Sequence, residues 1–143
     1  MSILRRRFSV IAGLASAMLG ASLLVALPAS AAAAYNGACG SGYSVVNSAR
    51  VNGYAATVYL TYNASTKKNC VVTIRDTSGA AKTMWAGIER TDDVLSYVVD
   101  MGEYTSYAGP VYLSAGGSCV TWRGGVLHNN LAYDVIVTGT NCG

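Results

Sequence analysis

Apolar and polar residues alternate with a period of two through most of the chain beyond residue 42, and no run there sustains helical spacing. In Ala55–Tyr62, the residues Ala56, Val58, Leu60 and Tyr62 share one face, against Thr57, Tyr59 and Thr61. Cys70–Arg75 sets Cys70, Val72 and Ile74 against Val71, Thr73 and Arg75. Val94–Met101 sets Leu95, Tyr97, Val99 and Met101 against Val94, Ser96, Val98 and Asp100, and Leu131–Thr138 places Leu131, Tyr133, Val135 and Val137 together. Tyr43–Ala49 and Lys82–Arg90 read as further strands. The alternation predicts strands with one face packed and one in water, the antiparallel habit.

The connections carry turn chemistry: Asn63–Asn69, Asp76–Gly79, Thr91–Asp93, and a Gly/Asn segment Gly124–Asn130 that reads as a loop holding His128. The densest stretch is Tyr104–Trp122. Its two β-rich runs, Val111–Ser114 and Cys119–Trp122, flank Ala115-Gly116-Gly117-Ser118, which predicts a hairpin. About eight short strands with frequent turns predict an all-β fold, a small antiparallel β-sandwich or barrel.

The first 31 residues differ in kind. Arg5, Arg6 and Arg7 precede an apolar run, Val10–Leu27, and Pro28 leads into the small-residue site Ala29-Ser30-Ala31. This predicts a signal peptide over 1–31, cut after Ala31 with Ala33 and Ala34 as rival sites, and a single secreted domain over 32–143. Arg5-Arg6-Arg7-Phe8 also partly matches a twin-arginine signal, so either export route fits. Beyond the leader, seven Lys and Arg face seven Asp and Glu, so the precursor's net +3 belongs to the leader. No basic stripe remains to engage a phosphate backbone, which argues against nucleic acid as a partner.

Four cysteines behind an export signal predict two disulfides. A zinc site is disfavoured, because there is no C-x-x-C pair and His128 is the only histidine. If the first three strands form a meander, Cys39 and Cys70 fall near the same end of the middle one, while Cys119 and Cys142 flank later strands. That favours Cys39–Cys70 with Cys119–Cys142. Cys39–Cys142 with Cys70–Cys119 is the main competing connectivity.

Candidate chemistry is sparse. His128 sits among Leu127, Asn129 and Asn130, and no G-x-S-x-G elbow occurs, so a solvated loop histidine is the simplest reading. Glu89, Asp92, Asp93, Asp100 and Glu103 cluster in sequence, and a glycosidase needs two carboxyls about 5–10 Å apart, but their turns account for them more simply. The spacing fits no EF-hand loop. Asn63-Ala64-Ser65 is a glycosylation sequon by letters alone. The sequence therefore predicts no catalytic residue, cofactor or metal. Aromatics are the one positive hint. Ten tyrosines and two tryptophans are present, and Tyr104, Tyr107, Trp85 and Trp122 are the candidates for a ligand-stacking surface.

Three blocks carry a family resemblance: AYNGACGSGYSVVNS near Cys39, VYLTYNASTKKNCVVTIR around Cys70 and YTSYAGPVYLSAGGSCVTW around Cys119. They resemble the spore-associated protein A family, small secreted proteins of spore-forming actinomycetes, over essentially the whole mature domain. The resemblance implies association with spore or cell-surface components and transfers no catalytic residues. The expectation is a secreted, non-catalytic, disulfide-bonded protein at the spore or cell surface. The rival readings are a carbohydrate- or wall-binding module using the exposed aromatics, and a secreted protease inhibitor, which would require a rigid exposed loop beside a cysteine that Gly102–Pro110 does not obviously provide.

Overall fold

The computed structural model describes residues 31–143; the leader read over 1–31 lies outside the described residues except for Ala31. The described chain is all β. Its strands are β1 (Ser44–Arg50), β2 (Ala56–Asn63), β3 (Lys68–Arg75), β4 (Lys82–Arg90), β5 (Asp93–Tyr104), β6 (Tyr107–Ser114), β7 (Val120–His128) and β8 (Leu131–Thr140). They form two antiparallel four-stranded sheets, β1-β2-β3-β6 and β5-β4-β7-β8. Val58, Leu60 and Val71 of the first sheet meet Met84, Ala86, Ile88, Trp122 and Val126 of the second in one core, so the fold is a sandwich.

The expected meander is present as β1-β2-β3, with Leu60 opposite Val71 and Tyr59 opposite Val72. The expected hairpin across Ala115–Ser118 is not. A turn does form there, with Ser118 N donating to Ala115 O at 3.0 Å, but β6 and β7 belong to different sheets. The turn carries the chain across the sandwich instead of pairing its flanks. The Gly124–Asn130 loop is also a correction: β7 runs through to His128, and only Asn129 (φ 52°) and Asn130 (φ 60°) make the turn into β8. Two successive left-handed residues are what a tight type I′ hairpin requires.

The first sheet departs from the one-wet-face expectation. Thr57, Thr61, Cys70, Val72 and Ile74 are all buried on the face away from the second sheet. The segment Ala33–Tyr43 lies over them like a strap, forming a second small core of Cys39, Cys70, Val72 and Ile74 with Tyr35, Tyr43 and Tyr59. The Cys39–Cys70 disulfide pins the strap to the sheet, and Cys119–Cys142 ties the β6–β7 crossing to the C-terminal segment. The local pairing favoured from sequence is the one present.

The strap is also held by charge. Asp76 accepts from Arg50 Nη1 and Nη2, both at 2.7 Å, and from Ala33 N at 3.1 Å. Tyr59 OH donates to Ala33 O at 2.5 Å. The Arg50 guanidinium, and secondarily the Ala33 amide, hold the Asp76 carboxyl below its ordinary value. A depressed carboxyl contributes stability above its unfolded pKa of about 4, and that contribution is lost as pH falls through the lower folded value. Asp76→Asn is therefore expected to destabilise the fold by about 1 kcal/mol at pH 7. The gap between variant and parent, read as urea midpoints, should close as pH falls below about 4. A gap that stayed constant down to pH 2 would show that the carboxylate charge plays no part.

Candidate functional site

Because β4 and β7 are the central strands of the second sheet, alternate residues face out of the sandwich. Trp85, Gly87 and Glu89 lie opposite Gly125, Arg123 and Thr121. On the flanks, Met101 and Val99 of β5 face Trp85 and Gly87, and Ile136 of β8 faces Arg123. Among the described residues, nothing corresponding to the strap covers this side. Met101 is 63% exposed, Ile136 53%, Val99 45%, Tyr97 40% and Leu127 37%.

Two large side chains lie flat across glycines here. A Cβ at Gly125 would come 2.2 Å from Trp85 Cζ2, and one at Gly87 would come 2.7 Å from the Tyr97 hydroxyl. The absent side chains are what let the aromatics lie down on the sheet. Between them, Arg123 Nη2 donates to Glu89 Oε1, and the guanidinium sits 5.0 Å from the Tyr97 ring centroid. The result is a face rich in apolar side chains that carries the Arg123–Glu89 pair and, towards its edges, the exposed carboxylates Glu103 and Asp134. It suits contact with another surface better than it suits chemistry on a small molecule.

The aromatics singled out from sequence do not gather into one patch. Trp85 belongs to this face. Trp122 does not: it is fully buried in the core, with Nε1 donating to Thr140 Oγ1 at 2.9 Å, and as a stacking platform it is a correction. Its register places it on the inner side of β7, where the sheets meet. Tyr104 packs against the core and donates to Asp100 Oδ1 at 2.6 Å. That bond to Asp100, then burial, raises the Tyr104 phenol above its ordinary value. Tyr107 lies on β6 in the other sheet, 36% exposed. Gly102–Pro110 is strand on both sides of a bend at Thr105–Ser106, not a protruding loop.

The polar candidates are each engaged separately. Lys82 Nζ lies 2.8 Å from His128 Nδ1, and the imidazole packs against Tyr54. Asp93 pairs with Arg90, Glu103 accepts from Thr83, and Asp100 also accepts from Gly109 N. Asn63 of the sequon is buried, its side chain capping the turn through Ser65 N and Thr66 N. Among the described residues no three His, Cys, Asp or Glu side chains gather as a metal site. Sequence reasoning missed Tyr97, Val99, Met101, Leu127 and Ile136 as a surface. The alternation in β5 grouped Tyr97, Val99 and Met101, and only strand order says that group faces outward.

No protein-family model matches the chain, and no solved structure matches it. Among curated proteins, it is 50% identical to spore-associated protein A of Streptomyces coelicolor over 131 residues, spanning 87% of this chain and 81% of that protein. Identity at that level across most of both chains places this chain in the spore-associated protein A family.

Proposed function

We propose that the protein is exported and held at the spore or hyphal surface as a non-catalytic component. The apolar outer face of the second sheet carries this reading. Trp85, Tyr97, Val99, Met101, Leu127 and Ile136 would leave water on contact with a surface, at about 25 cal/mol per Å² of apolar area. The name of the Streptomyces relative, a spore-associated protein, supplies the kind of surface. The reading is also supported by the engagement of His128 and the carboxylates in separate contacts that build the fold. Cleavage after Ala31 would leave the Ala33 anchors to Asp76 and Tyr59 intact, whereas cleavage after Ala33 or Ala34 would remove them.

Fractionation of spores, mycelium and medium with an antibody to residues 32–143 tests the reading. The parent protein should be recovered mostly with spores or mycelium, as should His128→Ala. Met101→Glu combined with Ile136→Glu should shift most of it into the medium while the thermal midpoint stays within a few degrees, since both sites are exposed. Recovery of the parent wholly in the medium would remove the surface reading.

A further inference from the structure

At one end of the sandwich the gap between the sheets stays open as a cleft of about 330 Å³. Its walls come from three separate segments: Tyr62, Lys67 and Asn69 around the β2–β3 turn, Gly116 and Gly117 in the β6–β7 crossing, and Asn141 after β8. We propose that this cleft binds a neutral saccharide unit.

The cleft is built, not incidental. Lys67 (φ 59°) and Asn141 (φ 50°) are two of only four non-glycine residues with positive φ among the described residues. Gly116 (φ 61°) and Gly117 (φ 91°) turn the opposite wall through the same region. Left-handed backbone at a non-glycine residue is costly and gathers at binding sites. The disulfide Cys119–Cys142 follows directly on two of the walls, joining the residue after Ser118 to the residue after Asn141. It fixes their separation before any ligand arrives, which lowers the ordering cost of binding.

The chemistry of the lining selects the ligand class. Asn69 is 99% buried, and its Oδ1 accepts from Asn141 Nδ2 at 2.5 Å. Two carboxamides, a phenol and the glycine backbone offer donors and acceptors side by side, which matches sugar hydroxyls that both give and take. The half-buried Tyr62 ring adds an aromatic surface of the kind that packs on a pyranose. A single ammonium, Lys67, is too little to define an anion site. The volume lies at the lower end of the range for small-ligand pockets, enough for one sugar ring and part of a neighbour.

The test is a titration of the secreted, ¹⁵N-labelled protein with chitotriose, cellotriose and inorganic phosphate in separate arms. Saturable shifts should appear at Lys67, Asn69, Gly116, Gly117 and Asn141 with at least one saccharide, and the two arms separate an acetamido sugar from a plain hexose. Asn141→Gly keeps the left-handed backbone without strain, so the fold should persist while affinity falls about tenfold. Leu95→Ala, at a site 94% exposed and outside the cleft lining, should leave saccharide affinity within about threefold. Shifts with phosphate alone, shifts confined to the outer face of the second sheet, or no shift in any arm would each overturn the proposal. The titration is read in solution, so its failure leaves the surface reading standing, and failure of fractionation leaves the cleft standing.

Discussion

Gly124→Ala is expected to destabilise the fold by about 3–4 kcal/mol, an overpacking cost with a broken hydrogen bond added to it. Gly124 lies on the inner side of β7, facing Thr73 and Val58 of the first sheet. A Cβ there would sit 2.0 Å from Thr73 Oγ1, 2.8 Å from Val58 Cγ2 and 3.1 Å from Trp85 O. Thr73 Oγ1 is not free to move aside, because it donates to Trp85 O at 2.7 Å and so bonds one sheet to the backbone of the other. One methyl group therefore displaces a buried hydroxyl, strips its acceptor and presses on Val58 together. Urea denaturation measures the cost, and a loss below about 1 kcal/mol would show that the sheets can separate locally. The double variant Gly124→Ala/Thr73→Ala adds a sharper check. Removing the hydroxyl makes room for the methyl, so the two costs should fall short of additive by about 1 kcal/mol or more.

Gly124 also shows where the sequence stops speaking. Gly124, Gly125, Asn129 and Asn130 all carry the composition of a loop, yet only the two asparagines turn the chain. The glycines are strand residues, required by Thr73 across the sandwich and by Trp85 on the neighbouring strand, contacts no local pattern announces. Ala115–Ser118 failed in a related way. Its turn chemistry was legible, but turn chemistry does not say whether the flanking strands pair with each other or part to opposite sheets. By contrast, the meander β1-β2-β3 and the face of Tyr133, Val135 and Val137 could be read, because close turns and period-two alternation are local facts. Trp122 and Trp85 mark the limit for the candidate site. Both are aromatic residues on adjacent central strands of one sheet, and the side of the strand each occupies, inner for Trp122 and outer for Trp85, buries one and leaves the other on the outer face. The cleft was out of reach because its walls lie far apart in the chain and meet only once the fold is complete.

Cys70→Ser should be the most damaging single change at a cysteine, leaving little folded protein to secrete. The Cys39–Cys70 bridge spans 31 residues, and losing such a cross-link costs about 2–4 kcal/mol. Cys70 is fully buried beneath the strap, so the serine hydroxyl would sit in an apolar pocket beside Val72 and Ile74. If it finds no partner it costs about 1–3 kcal/mol more. The sum approaches the whole stability of a small domain, about 5–15 kcal/mol. Loosening the strap also uncovers Val72 and Ile74, turning a two-faced buried sheet into one with an apolar side in water. Cys142→Ser gives the comparison. It loses a bridge of similar span, 23 residues, but Cys142 is exposed and its serine would be solvated. Denaturation midpoints and secreted yield should therefore rank parent, then Cys142→Ser, then Cys70→Ser, the last two separated by about 1–3 kcal/mol. Equal losses for the two variants would mean that burial under the strap adds nothing to the bridge itself.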